Sequence, residues 1–404
     1  MNTTTAPNFA LPAAAPASAR VVLQLLRRLS VGTLDVQLPN GSQLRFGGAE
    51  GPRAALRLLD WRACSAALKS GDIGFAEAWI DGHWTTPDLV ALLELLIANR
   101  EAIERVVYGS WWGSLVHRLR HLFNRNTREG SRKNIHAHYD LGNAFYRLWL
   151  DPSMNYSSAW FDGDLTQDLT RAQDAKVARA LERLQLQPGQ RVLEVGCGWG
   201  AVAEAAARRG LRLTGITLSI EQLGWARARL DRLGLQGQAD LRLQDYRDVA
   251  DAPFDGIVSI EMFEAVGREY WDGYFALLRD KLASGGRACV QSITIRDDLF
   301  QRYLRSTDFI QQYIFPGGLL PSVSEFHRRA EAAGLQVEET FAFGPDYAET
   351  LRRWRAAFLA REAEVRELGF DTRFMRIWDF YLAYCQAAFA TGNTDVVQFT
   401  LRKP

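Results

Sequence analysis

The residues that could do chemistry gather first around three glycines. Gly196, Gly198 and Gly200 follow a short apolar run, 191–195, that carries a single carboxylate, Glu194. Glycine permits positive φ and lets a ligand approach the backbone closely. The stretch that follows, 201–207, is alanine-rich and strongly helix-forming. Strand, glycine turn and helix in that order is where open α/β sheets hold nucleotide-like ligands. The spacing is G-x-G-x-G, so it is neither the dinucleotide G-x-G-x-x-G nor a Gly-Lys-Ser/Thr phosphate loop. With Glu194 in the strand and no pyrophosphate grip, the pattern points to S-adenosylmethionine (SAM). His136 and His138 look like a metal pair, but residues at i and i+2 share no helix face. No further ligand stands nearby, so no metal site is expected. The cysteines (Cys64, Cys197, Cys289 and Cys385) are scattered and form no C-x-x-C, which argues against zinc or a disulfide scaffold and fits a reducing cytosol.

The elements that must position this turn follow from patterning. The 404 residues are 47% hydrophobic and 24% charged, an ordinary globular balance with ample core for two or three domains. The net charge of +1 gives no drive toward nucleic acid. No apolar run reaches the roughly 18 residues a membrane span needs. Residues 1–19 read as a disordered tail, and 20–110 as a small α+β accessory domain. Within it, 33–38 and 43–46 alternate around the turn 39–42, a hairpin. Helices are expected near 61–68, 74–80 and 89–105. Residues 111–134 form a basic, tryptophan-containing linker. Aromatics beside arginines there suit a lipid headgroup layer or packing on a neighbouring domain. From 135 onward, strands at 191–195, 211–216, 240–243, 254–260, 287–295, 335–343 and 396–401 alternate with helices. That implies a mostly parallel sheet with right-handed crossovers. An aromatic insertion, about 298–325, includes Phe300, Tyr303, Phe309, Tyr313 and Phe315, and can cover a pocket.

Several ordered motifs resemble the cyclopropane-fatty-acyl-phospholipid synthases and related lipid methyltransferases. They are His138-Tyr139-Asp140-Leu141-Gly142-Asn143, Met154-Asn155-Tyr156-Ser157, the glycine turn itself, Thr214 through Gln222, Met262-Phe263-Glu264, Tyr313 through Gly317, and Phe343 through Tyr347. The set spans about 134–400, and the N-terminal region matches the family more loosely. The resemblance implies a Rossmann-like SAM-dependent methyltransferase fold behind a smaller α+β domain associated with dimerisation and lipid contact. It implies SAM contacts at Tyr156, Ser157, Gly196, Gly198, Gly200, Thr217, Leu218, Ser219, Gln222, Gln244 and Asp245, beside Glu194. In the family, a lipid alkene takes the sulfonium methyl and becomes a carbocation, which aromatic faces can stabilise. Phe263, Tyr303, Tyr313 and Tyr347 suit that role. A base then removes a proton. Loss from the new methyl closes a cyclopropane, and the other outcome is a methylene- or methyl-branched chain.

In the family that base is a bound bicarbonate, held by a cysteine, a glutamate, a histidine, a tyrosine and a backbone group. The resemblance places the glutamate at Glu264, the tyrosine at Tyr347 and the backbone group at Ile293. The cysteine position holds Ser158 and the histidine position Gln291, both still able to hydrogen-bond. Glu261 stands three residues before Glu264, where the typical synthase has a small residue. Two carboxylates so close can shift one pKa upward. A carboxylate at Glu261 could therefore take over the base role and make bicarbonate unnecessary. Cys385 falls on a family cysteine suspected of catalysis, although a thiol in an apolar helix is more often packing. The expectation is a cytoplasmic enzyme, peripheral at the inner membrane surface and dimeric. It would act on unsaturated phospholipid acyl chains, with the cyclopropane as leading product and the branched chain as alternative. A catalytically silent lipid-binding homologue and a small-molecule methyltransferase are the competing readings.

Overall fold

A computed structural model describes residues 15–48, 50–107 and 141–404. The expected basic linker and the His136/His138 pair lie outside these residues. The chain divides into two units, Met1–Arg118 with Thr372–Ala387, and Leu119–Asp371 with Ala388–Pro404. The first unit thus takes in Thr372–Ala387, a stretch that the sequence analysis places in the segment 135–404. Most of the last helix, Thr372–Ala390, is assigned to the first unit.

In the first unit, β1 (Thr33–Gln37), β2 (Gln43–Gly47), β3 (Arg53–Leu58) and β4 (Trp84–Thr85) form a sheet of order β2-β1-β3-β4. The expected hairpin is there, with Gly41 at φ 85° in its turn. The strand β3, parallel to β1, is an addition. The two helices expected around a glycine break are one helix, Arg62–Ile80, kinked at Ser70 and Gly71. Gly71 has φ 58° and ψ −130°, a conformation open to glycine and costly for other residues. The first helix begins at Ala17, directly after Pro16, so the last residues assigned to the tail are helical.

The second unit is a Rossmann-like α/β domain. Its sheet has β5 (Arg191–Val195), β6 (Arg212–Thr217), β7 (Ala239–Leu243), β8 (Phe254–Ile260), β9 (Leu282–Ile295), β10 (Gln336–Ala342) and β11 (Thr394–Arg402), in the order β10-β11-β9-β8-β5-β6-β7. The run from β7 to β9 is parallel, and β11 lies antiparallel to both β9 and β10. Hydrophobic runs identify strands but carry no direction, so the antiparallel edge was not legible in them. Strands β5 to β7 fill one side of the sheet and β8 returns to the other side of β5. This reversal opens a crevice at the carboxyl ends of β5 and β8, where such sheets bind ligands. One face is sealed by Leu193, Phe254, Phe263, Trp271, Phe275 and Phe399, all fully buried.

Candidate functional site

The crevice is a cleft lined by the carboxyl ends of β5, β6, β7 and β8 and by the 154–157 loop. Gly196, Gly198 and Gly200 all have positive φ (89°, 48° and 85°). A Cβ at Gly196 would sit 2.9 Å from the Met262 side chain, whereas one at Gly198 would meet nothing within 4 Å. The backbone is therefore bare where a ligand would lie and tightly held just before it. Glu194, Tyr156, Ser157, Gly196, Gly198, Thr217, Leu218, Gln222 and Gln244 line the cleft together. The Thr217 hydroxyl donates to Gln222 Oε1 at 3.0 Å, joining two of them. Glu194 Oε2 is buried with no hydrogen-bond partner among the described residues, and burial pushes its carboxyl up to about 8. A cationic ligand with amine and sulfonium groups answers that orphaned oxygen, so these residues fit SAM.

Three of the expected contact residues have structural partners and lie outside the cleft lining. Gly200 caps the helix Ala201–Arg208, and a Cβ there would press on Ala226 at 2.9 Å. Ser219 caps the helix Ile220–Arg232 by accepting from Gln222 N. Asp245 pairs with Arg247 at 2.5 Å and accepts its backbone N–H. None of the three lines the cleft. Their short polar or absent side chains satisfy turns, which sequence spacing alone cannot separate from ligand contacts.

At the end of β8 the acidic residues converge with the other predicted groups. Glu261 adopts φ 48°, unusual for a non-glycine residue, while its N–H continues the ladder to Gln291 O at 2.8 Å. Its carboxylate lines the cleft and accepts three hydrogen bonds. Ser158 N–H donates at 2.8 Å, Gln291 Nε2 at 2.7 Å and Tyr347 Oη at 2.7 Å. Ile293 N–H donates to Glu264 Oε1, while Glu264 Oε2 has no hydrogen-bond partner among the described residues. Burial, then the neighbouring Glu261 charge, pushes Glu264 up to about 8. Burial also raises Glu261, opposed by Lys176 and by the three donors. The donors that the family resemblance assigned to bicarbonate are thus spent on the chain's own carboxylates. A bicarbonate ion does not fit this arrangement. Ser158 takes part through its backbone N–H, since its hydroxyl donates to Ala159 O at 2.8 Å.

Other expectations are corrected. Phe263 is fully buried in an aromatic cluster with Trp271, Tyr274, Phe275 and Phe326, so it is a core residue and presents no face to a cation. The Tyr303 hydroxyl accepts from Gln311 Nε2 and Leu320 N, which ties the 298–325 insertion together. Leu319 N–H reaches the carbonyl of Glu264 at 2.9 Å, fastening that insertion to the acidic pair. Cys385 does not line the cleft, and belongs to the portion of the last helix assigned to the first unit. Lys176 escaped sequence reasoning. It is fully buried, donates to Ser157 Oγ at 2.5 Å, and burial lowers it to about 8 against the pull of Glu261 and Glu194. Its signal was a lysine on the same helical face as Ala172, Gln173 and Ala180, all buried.

The family described as Mycolic acid cyclopropane synthetase matches residues 126–399. The chain belongs to that family. It is 37% identical over 398 residues to the tuberculostearic acid methyltransferase UfaA1 of Mycobacterium tuberculosis (strain ATCC 25618 / H37Rv), covering 96% of this chain and 92% of that protein. It is 36% identical over 333 residues to the cyclopropane-fatty-acyl-phospholipid synthase of Escherichia coli (strain K12), covering 82% and 83%. Among solved structures it is similar to mycolic acid cyclopropane synthase CmaA1 complexed with SAH and CTAB. The identity there is 35% and the TM-score 0.63, over 67% of this chain and 98% of that one. The chain is therefore a SAM-dependent methyltransferase whose family acts on lipid double bonds. No helix among the described residues is long and apolar enough to cross a membrane.

The raised Glu264 carboxyl makes stability depend on pH. The folded protein keeps this proton up to about pH 8, whereas the unfolded chain releases it near 4.5. The stability it contributes is complete below the unfolded value and is lost as pH rises through the folded one. Glu264→Gln cannot ionise. It is expected to be more stable than the native protein at about pH 8.5, by a few kcal/mol, and close to it at about pH 4. Thermal unfolding at the two pH values checks this.

Proposed function

We propose that this enzyme transfers the methyl group of SAM to a cis double bond of an unsaturated phospholipid acyl chain, and that the Glu261 carboxylate accepts the proton released afterwards. The product is a chain that gains a one-carbon branch and keeps a double bond. The observation that carries this reading is the Glu261 carboxylate, which lines the cofactor cleft and is held by Ser158, Gln291 and Tyr347. When bound, SAM supplies an electrophilic methyl. The alkene's π electrons would form the new C–C bond as the S–CH3 bond breaks and neutral S-adenosylhomocysteine leaves, and the resulting lipid carbocation would return to neutrality by losing a proton. Any proton acceptor must be ionised and close. Glu261 accepts from three donors, whereas Glu264 accepts from Ile293 N–H and leaves Oε2 unpartnered among the described residues, so the donor geometry favours the pair's negative charge on Glu261. The three donors fix that charge in place, which preorganises the acceptor. Glu194, Thr217, Gln222 and Gln244 line the cleft and would orient the cofactor, and Lys176 fixes the Ser157 hydroxyl among the lining residues.

The relative matched over 96% of this chain is named a methyltransferase and not a cyclopropane synthase, which supports the branched product. Ring closure is the second reading, favoured by the family's description and by the Escherichia coli relative. It would use the same acceptor on a proton of the new methyl. The test is product analysis after incubation with methyl-deuterated SAM and vesicles of a monounsaturated phospholipid. Olefinic carbon signals in the labelled product are expected, with three deuteriums on a methyl branch or two on a methylene. A labelled product with high-field ring protons and no olefinic carbons would contradict the branched product. No labelled lipid at all would contradict the substrate.

A further inference from the structure

We infer that Arg179 and Gln398 are positioning residues that dictate which way the Gln291 amide faces, and so hold a donor on Glu261. The inference rests on the reading of Glu261 as proton acceptor. Gln291 and Gln398 stand directly opposite each other on β9 and β11, and both are fully buried. The oxygen and nitrogen of an amide are nearly alike in shape, so packing alone does not choose between its two orientations. Here a one-way donor makes the choice. A guanidinium has five N–H groups and no acceptor. Arg179 donates to Gln398 Oε1 at 2.6 Å, which forces the Gln398 amide nitrogen to the other side. There Nε2 donates to Gln291 Oε1 at 3.0 Å and to Lys176 O at 3.3 Å. With its oxygen so engaged, Gln291 can only present Nε2 to Glu261, at 2.7 Å.

Arg179 is itself locked. It donates to Glu339 Oε1 at 2.9 Å, and its guanidinium carbon lies 3.6 Å from the centre of the Phe341 ring. Each link of the chain passes one donor toward the Glu261 carboxylate, and polarised chains of this kind strengthen one another in a low-dielectric interior. The titratable groups that face Glu261 are Lys176 from the helix Leu169–Glu182, Glu264 from the turn after β8, and Tyr347 from the helix Gly344–Ala360. None of these touches Gln398 through its side chain, so the chain is a separate lever on the same group.

Gln398→Glu tests the direction. A carboxylate still accepts from Arg179, so the fold keeps an ion pair in place of a hydrogen bond. It cannot donate to Gln291 Oε1, so the Gln291 amide must turn and offer Glu261 an oxygen. The expected result is a fall in kcat of about tenfold and an acidic limb of the kcat–pH profile moved up by about one unit. SAM affinity by titration calorimetry is expected to stay within about twofold. If the variant does not fold, Gln398→Met removes the same donor with an apolar side chain of similar length. Gln291 Nε2 is then held by Glu261 alone, and the acidic limb is expected to move in the same direction by less than about one unit. An unmoved acidic limb, whether or not kcat falls, overturns the inference. Glu261→Gln measured alongside separates the failures. If it is inactive while the Gln398 variant keeps the native limb, only the positioning chain is wrong. If it keeps native kcat, the proton-acceptor reading has failed and the chain with it.

Discussion

Glu261→Gln is expected to lower kcat by about 10²- to 10⁴-fold, the usual contribution of a positioned general base, with SAM binding unchanged. The variant keeps the size of the side chain but removes its charge and its capacity to take a proton. The amide oxygen can still accept from Ser158 N–H and Gln291 Nε2, and the Tyr347 hydroxyl can turn to accept from the new amide nitrogen, so the loss should fall on the chemical step. Glu261→Gly is the sharper companion. The residue sits at φ 48°, where glycine is at ease and other residues pay about 1–3 kcal/mol, so this substitution relieves backbone strain. It also vacates the acceptor position between the three donors. Added bicarbonate, or another small carboxylate, is then expected to restore part of the lost turnover. Steady-state kinetics with and without the anion measure both effects. A Glu261→Gln variant with native kcat, or a glycine variant indifferent to any added anion, would count against the assignment.

Gly196→Val is expected to weaken SAM binding by at least about 100-fold and to lower stability by about 1–3 kcal/mol. Gly196 has φ 89°, a region a β-branched residue occupies only under strain. Its Cβ would meet Met262 Cγ at 2.9 Å and Cβ at 3.0 Å. Met262 follows Glu261 directly, so relief of that clash displaces the end of β8 along with the cofactor turn. The contrast is Gly198→Ala, where φ is 48° and no atom lies within 4 Å. That variant should fold with little loss and show its effect mainly in SAM affinity. Calorimetric titration with SAM, paired with thermal unfolding, distinguishes the two positions. Equal, small effects at both would mean that the turn does not hold the cofactor.

The glycine turn and the positions of the strands along the chain were legible in the sequence because each depends on neighbours along the chain. The run 191–195 is apolar and bounded by glycine, and β5 forms over those same residues. The reach of the sheet was not legible. The direction of β11 depends on partners, β9 and β10, that are far away in sequence. Strand β3 carries two arginines and two alanines, which blur its alternation. The acidic site was half legible. Glu261 and Glu264 are close in sequence, and the family motif marked Ser158, Gln291, Ile293 and Tyr347. That three of these would turn their donors onto Glu261 required the positive φ that ends β8, a feature no composition reveals. Phe263 was assigned to a cation because aromatics are chemically able to serve, and its burial against Trp271 and Phe326 decides otherwise. Lys176 and Gln398 were passed over because polar residues on buried faces look like lapses in a pattern. Both make hydrogen bonds that reach the site.

The most direct test of the account is turnover of the native enzyme on monounsaturated phospholipid vesicles in buffer stripped of carbon dioxide and bicarbonate. A proton acceptor carried by the chain predicts an unchanged rate, and no response when bicarbonate is restored to millimolar levels. A rate that collapses on stripping and returns with the added anion would contradict the account. It would mean that Glu261 holds the site together while a small anion does the proton chemistry.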